Sequence, residues 1–401
     1  MQKKLMLLGG IRYLLPAIEA AHKHGYHVVT VDYLPNNIAR KYSEEYHNVS
    51  ILNKDEVLKL AQDLKIDGIL SYAVDPGVTA AAYVAEQMGL PFTCSYKSEC
   101  IMQDKDSFRQ FLQEHGFNCP TAKGYTNDSE AIKDKDIFHW PIIVKPVDSA
   151  GSKGVSKVND PKDLPKAIEH ALEESHNGHF IIEDFLELDG YQSSADCFSV
   201  DGKLVYADYS DQHFDSSASN PYTPAIEVWP ATMPQKVQDE LTSELQRLIT
   251  LLGCGTGLYN VESRLCKNGK AYLMEVSPRA GGNRIAELQR IGTGIDLIEA
   301  EVLKAIGEPL PEIMQPKYDG IYVNDIIHSN QGGKFCEVWY DDQFKQKHFI
   351  SEAVYPKKGD TVEQFRGANN AVGSVFLRFK NHTESNGFIN NHDQKIMVVV
   401  K

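Results

Sequence analysis

Over the first hundred residues, short apolar runs alternate with helical patterns, which restricts this stretch to a parallel sheet flanked by helices. Residues 5–8 form an apolar run closed by Gly9-Gly10, and a helical pattern then continues to His24 and stops at Gly25. Residues 27–31 and 68–71 read as further strands, with helices expected near 54–64 and 78–88. The spacing predicts a doubly wound α/β unit over residues 1–103. Gly9-Gly10 does not complete G-x-G-x-x-G, because Ile11-Arg12-Tyr13-Leu14 follows, so the pattern disfavours a nicotinamide-dinucleotide site.

A second block runs from 104 to about 315. Helices are expected over 108–115, 165–175 and 235–252, and over 285–306 with breaks at Gly292 and Gly294. Strands are expected over 140–147, 180–186, 258–266 and 271–277. From 316 to 401 the pattern turns β-rich and predicts a third unit. The 41 basic and 55 acidic side chains leave a net charge of −14, which disfavours a general nucleic-acid binder but allows a local basic pocket for phosphates. No apolar stretch approaches ~18 residues, so no membrane span is expected. Gly9-Gly10 and Arg12 interrupt the only run near the start that resembles a signal peptide. Seven scattered cysteines without CxxC pairs fit reduced thiols and a cytoplasmic location.

Four groups of residues carry chemistry. Lys145 ends the apolar run Ile142-Ile143-Val144, and Pro146 holds it extended. So placed, it must meet an anion or reach for solvent. The following loop, Asp148-Ser149-Ala150-Gly151-Ser152-Lys153-Gly154-Val155, has the glycines and cation of a phosphate cover, although an exposed hairpin turn fits it equally. Glu183-Asp184-Phe185-Leu186 closes another strand and reads either as a purine-edge hinge or as a solvated charge pair. Pro278-Arg279-Ala280-Gly281-Gly282-Asn283-Arg284 opens a helix in a way that suits a carboxylate or phosphate, or is an ordinary loop.

The fourth group rests on register. With Asn268-Gly269 as the two central residues of a hairpin turn, Glu262 falls directly opposite Glu275 and Asn260 opposite Ser277. Opposed like charges destabilise a strand pair unless something compensates, and Mg2+ takes one or two carboxylates plus substrate phosphates. The alternative is two glutamates on a solvated face. The other face, with Val261, Leu265, Tyr272, Met274 and Val276, is expected in the core. The segment 209–233 is expected to shape a substrate pocket.

In this order, these pieces resemble the ATP-grasp superfamily of carboxylate–amine ligases, including an N-terminal domain like that of biotin carboxylase and carbamoyl phosphate synthetase. Gly359-Asp360-Thr361-Val362 and Asn369-Asn370-Ala371-Val372-Gly373 make the C-terminal part similar to L-amino-acid ligases. The resemblance implies the ATP-grasp fold: an α/β and α+β architecture with a lid over about 120–190 and a β-rich C-terminal part. It implies that Lys105, Lys145, Ser149, Gly151, Ser152, Lys153, Gly154, Glu183, Asp184, Phe185, Leu186 and Gln192 bind ATP, with Gln192 where a ribose-contacting glutamate is usual. It implies that Glu262 and Glu275 hold two Mg2+ ions, for which Mn2+ substitutes. Ser277 replaces the usual asparagine of the metal motif, and Asn260 is expected to supply the missing oxygen across the strand pair. Arg279 and Lys145 are implied as catalytic, and Arg279, Gly281, Gly282, Asn283 and Arg284 as substrate-binding. The implied activity joins a small carboxylate to an amine through an acyl phosphate, in a homodimer that binds neither nucleic acid nor membrane. A nucleotide-pathway or bicarbonate-activating enzyme and a non-catalytic ATP- or metabolite-binding module remain as alternatives.

Overall fold

The computed structural model describes residues 2–149 and 153–401. The N-terminal sheet has the parallel order β3-β2-β1-β4, built from β1 (Lys4–Leu8), β2 (His27–Val31), β3 (Glu45–His47) and β4 (Gly68–Leu70). Its buried Leu5–Leu8 run shares one core with helices such as Lys54–Leu64 and Asp75–Met88. The Gly9-Gly10 pair serves packing. A Cβ on Gly10 would lie 2.4 Å from Asn37, and Gly9 has φ +110°.

A four-stranded antiparallel sheet of order β5-β8-β6-β7 follows, from β5 (Ala122–Tyr125), β6 (Ile142–Pro146), β7 (Ser156–Val158) and β8 (Phe180–Asp184). The helix Leu164–Glu173 covers it through Leu164, Ala167, Ile168 and Ala171.

The largest sheet contains β9 (Leu188–Val200), β10 (Lys203–Tyr206), β11 (Asp211–Phe214), β12 (Pro224–Trp229), β13 (Gly257–Cys266), β14 (Ala271–Ser277) and β15 (Ile321–Asp325). The chain then alternates between two sheets. The strands β16 (Gly333–Tyr340), β18 (Thr361–Val362) and β20 (Ile396–Val400) form a small sheet, while β17 (Phe349–Val354) and β19 (Gly373–Phe379) return to the large one. The large sheet runs β14-β13-β9-β11-β12-β15-β19-β17, with β10 beside β9. The region expected as a third unit is thus partly woven into the large sheet, because β15 pairs with β12 over Ile226–Asp325 to Trp229–Tyr322. One face of β13 and β14 is sealed by the helix Gln235–Leu251, which buries Leu241, Leu245, Leu248 and Ile249. Each such side chain contributes about 1.5–3 kcal/mol.

The hairpin joining β13 to β14 departs from the expected turn. Gly269 N–H donates to the Cys266 carbonyl at 2.8 Å and Cys266 N–H to that of Lys270 at 3.0 Å, so Lys267, Asn268 and Gly269 all lie in the turn. Gly269 takes the left-handed φ of +76° that a three-residue loop requires. That shifts the pairing by one residue, and Ser263 faces Leu273. A bulge at Met274 shifts it back, so Glu262 faces Glu275 and Asn260 faces Ser277 as expected. The bulge also exchanges core residues: Leu273 is buried with Val276, whereas Met274 is only half-buried.

Consecutive residues of β15 point to opposite faces. Asp325, fully buried, meets His392 with 3.0 Å between Oδ2 and Nε2, and Asp393 lies 3.3 Å from His392 Nδ1. Burial opposes the imidazolium, but Asp325 and Asp393 outweigh it and hold His392 up to about 9, against an ordinary 6.5. The stabilisation is therefore complete below about pH 6.5 and lost as pH rises through 9. Denaturant titrations at pH 6.5 and 9.5 are expected to differ by about 3 kcal/mol in the wild type and by much less in His392→Gln.

Candidate active site

The helix Lys105–Glu114 starts at an Asp104 cap, whose Oδ1 accepts from Ser107 N–H at 2.8 Å. From its first residue, Lys105 Nζ reaches the Ser149 carbonyl at 2.8 Å, which ties the helix to the root of the glycine loop. Ser149 Oγ donates to the Glu174 carbonyl. Gly154 has φ +69° and no room for a Cβ, which would lie 2.9 Å from Pro146 and 3.0 Å from Glu174. Lys153 is exposed. Gly151 and Ser152 lie outside the described residues.

Lys145 projects from β6, with Nζ 2.7 Å from Glu183 Oε2 on β8. Arg109 Nε reaches the other oxygen of Glu183 at 2.7 Å, and its Nη1 donates to the Met274 carbonyl at 2.9 Å. The bulge thus frees a carbonyl that anchors the arginine. Burial alone would raise the Glu183 carboxyl, but Arg109 and Lys145 hold it down to about 2. Burial pushes Lys145 below its ordinary range, while Glu183 pulls it back. The Glu183 side chain, expected in the hinge, is 3% exposed and orients two cations. Asp184 is likewise engaged, accepting from His139 N–H at 2.8 Å and lying 2.9 Å from its Nδ1. The Phe185 ring lies under Lys157 at 3.6 Å, its N–H donates to the Pro141 carbonyl, and half-buried Leu186 follows.

Glu262 and Glu275 stand opposite each other on the large sheet. Burial first, and the Glu275 charge second, push Glu262 upward, while Arg264, Lys105 and Arg279 are close enough to oppose this. Asn260 Nδ2 donates to Asp196 Oδ1 at 3.1 Å. Ser277 Oγ lies 3.4 Å from Asp75 Oδ1. Arg279 Nε also binds Asp75, the first residue of the helix Asp75–Met88, so the N-terminal domain fixes the guanidinium. Among the described residues no three His, Cys, Asp or Glu side chains cluster as a metal cage. Two carboxylates and an amide fit Mg2+, which keeps several waters and takes phosphate oxygens.

Gly281 N–H donates to Asp196 Oδ1 at 2.7 Å, and half-buried Gly282 follows. Asn283 and Arg284 both have left-handed backbones, φ +53° and +64°, a strain of about 1–3 kcal/mol each that collects at functional sites. Arg284 is tied to Glu287 and to Ser374 Oγ at 2.9 Å, and it lies over Phe376. Asn283 Oδ1 accepts from the Tyr13 hydroxyl at 3.1 Å. Gln192 stands on β9 beside Glu262, with its amide nitrogen 3.0 Å from Gln212 Oε1 and 3.4 Å from Glu262. The sequence reading missed Arg109, Asp75, Asp196, Gln212, Glu227 and Asn324. Two had a visible signal: Arg109 falls in the apolar stripe of its helix, and Glu227 interrupts Ala225-Ile226 and Val228-Trp229.

Residues 138–287 match the family model of the ATP-grasp domain. The chain is 23% identical over 326 residues to the carbamoyl phosphate synthase large chain of Thermotoga neapolitana, covering 78% of this chain and 29% of that one. The Ralstonia nicotianae large chain is 24% identical over 330 residues, covering 78% and 30%. The chain thus spans about a third of the length of these curated relatives. Over its full length the fold matches an L-amino acid ligase from Bacillus licheniformis, with TM-score 0.82, 20% identity and 99% of that chain covered. It also matches phosphoribosylglycinamide synthetase from Anaerococcus prevotii, with TM-score 0.76, 19% identity and both chains covered completely.

Arg109→Leu leaves Glu183 buried with one cation fewer. A stability loss of about 3–5 kcal/mol is expected, measured by guanidinium denaturation.

Proposed function

We propose that the protein is an ATP-dependent, ADP-forming carbon–nitrogen ligase of the cytoplasm that acts on small molecules as a homodimer. The observation that carries this reading is the Glu262–Glu275 pair, set within reach of the charges of Lys105, Arg264 and Arg279. Lys145, held by Glu183, and Lys105, at the root of the glycine loop, would contact the ATP phosphates. Ser149, Gly151, Ser152, Lys153 and Gly154 would cover them, and Phe185 and Leu186 would border the base. Glu262 and Glu275 would hold Mg2+, as would the Asn260 carbonyl oxygen, since its nitrogen is engaged by Asp196. When bound, the metal would supply charge neutralisation for phosphoryl transfer.

A carboxylate oxygen takes the γ-phosphoryl group and the bond to the ADP oxygen breaks. An amine nitrogen then attacks the acyl carbon, loses a proton, and inorganic phosphate leaves. Arg279, fixed by Asp75, would steady the acyl phosphate. Closure of the four-stranded sheet β5-β8-β6-β7 over the site would exclude water from that intermediate. Full-length likeness to an L-amino acid ligase fold supports a small carboxylate and a small amine as substrates.

The test supplies Mg·ATP with pooled carboxylic acids, hydroxylamine as the acyl-phosphate trap, and separate detection of ADP and AMP. ADP and hydroxamate are expected with particular acids, falling about 100-fold or more in Glu275→Gln. AMP with pyrophosphate would defeat the mechanism. Asn260→Ala is expected to raise the Mg2+ needed for half-maximal rate by about tenfold, and an unchanged Mg2+ requirement would remove it from the metal site.

A further inference from the structure

A single cross-strand row of polar side chains runs over the large sheet. Arg264 on β13 faces Gln192 on β9, which faces Gln212 on β11, which faces Glu227 on β12, which faces Asn324 on β15. The hydrogen bonds along it run one way. Arg264 Nη2 donates to Gln192, Gln192 Nε2 to Gln212 at 3.0 Å, and Gln212 Nε2 to Glu227 Oε1 at 3.1 Å. Gln212 and Glu227 both belong to the segment expected to shape a substrate pocket.

The two ends differ in sign. At the Arg264 end a buried donor, Nε, has no partner, beside Glu262 and on the side of the site that holds Lys105. At the other end the unpartnered buried atoms are acceptors: Glu227 Oε2, Asn324 Oδ1 and, nearby on β9, Asp196 Oδ2. Glu227 is 1% exposed, and Asn324 and Asp196 are fully buried. Among the described residues neither acid forms an ion pair. Arg279, whose charge reaches Asp196, is committed to Asp75, and Arg284 to Glu287. Asn324 Nδ2 donates to the Asn283 carbonyl, which turns its oxygen away from that loop. Burial first, then Asp196 and Glu262, push Glu227 up to about 8, against hydrogen bonding from Gln212 and Asn324 that pulls it down. Buried acceptors without donors are costly to leave unmet, and an ammonium group brings a charge and three N–H donors.

We propose that Glu227 and Asn324 bind the ammonium group of the amine substrate, at the opposite end of the polar row from the phosphates, and that the ammonium passes one proton to the Glu227 carboxylate before the neutral nitrogen attacks the acyl carbon. The inference rests on the ligase reading for the substrate's role, while the cation niche itself stands on the unpartnered acceptors.

Binding is tested on the intact protein with glycinamide as probe and N-acetylglycinamide as its uncharged control. Glycinamide is expected to raise the thermal unfolding midpoint of the wild type in a concentration-dependent way. That shift is expected to vanish in Glu227→Gln and to weaken in Asn324→Ala. Equal shifts from both compounds, or an unchanged glycinamide shift in Glu227→Gln, would overturn the niche. Protection by K+ that glycinamide fails to displace would make it an inorganic cation site and also overturn it. Kinetically, hydroxylamine is uncharged at neutral pH and reads acyl-phosphate formation without the niche. With an acid that yields hydroxamate, the ratio of glycinamide ligation to hydroxamate formation is expected to fall about tenfold or more in Glu227→Gln. An unchanged ratio counts against the proposal. Absence of hydroxamate from the wild type would instead defeat the ligase reading, with the binding measurement still deciding the niche.

Discussion

The unpaired residue Met274 sets the geometry on which the site depends. Without that bulge, the three-residue turn at Lys267–Gly269 would leave Glu262 one residue out of step with Glu275. With it, the two carboxylates are opposed, Leu273 and Val276 share the core side, and the Met274 carbonyl is free for Arg109. One extra residue in one strand thus aligns the acid pair and also anchors the arginine that, with Lys145, clamps Glu183.

The charged groups are organised by burial more than by number. Glu183 is held ionised because two cations reach it, and that pair fixes Lys145 in turn. Glu227 has no such cation and is pushed the other way. Two buried glutamates on neighbouring sheets therefore play different parts: one closes an internal ion pair, and the other presents an unmet acceptor. Domain contact adds a further constraint, since Asp75 at a helix start in the N-terminal domain binds Arg279 in the loop after β14.

Much of the architecture was legible locally. The apolar runs of β1, β2 and β4, the helix Gln235–Leu251 and the limits of β14 follow from periodicity and from glycine or proline punctuation. The opposition of Glu262 and Glu275 was also legible, although through a two-residue turn that the structure replaces with a longer turn plus a bulge. Those two departures cancel at Glu262 and leave the pairing shifted by one residue from Ser263 and Leu273 down to the turn. The internal role of Glu183 was not legible, because Arg109 lies 74 positions away in sequence.

The sequence by itself determined the strand–helix order, the ATP-grasp resemblance and which acids share the β13–β14 face, since these depend on neighbours a few residues apart. Only the tertiary structure decided which strands lie side by side. The row from Arg264 through Gln192, Gln212 and Glu227 to Asn324 gathers five strands, and β15 reaches it from far along the chain. Hydrogen bonding between strands joins residues across the sheet regardless of their separation in sequence, so periodicity along one strand cannot reveal what its neighbour will place opposite.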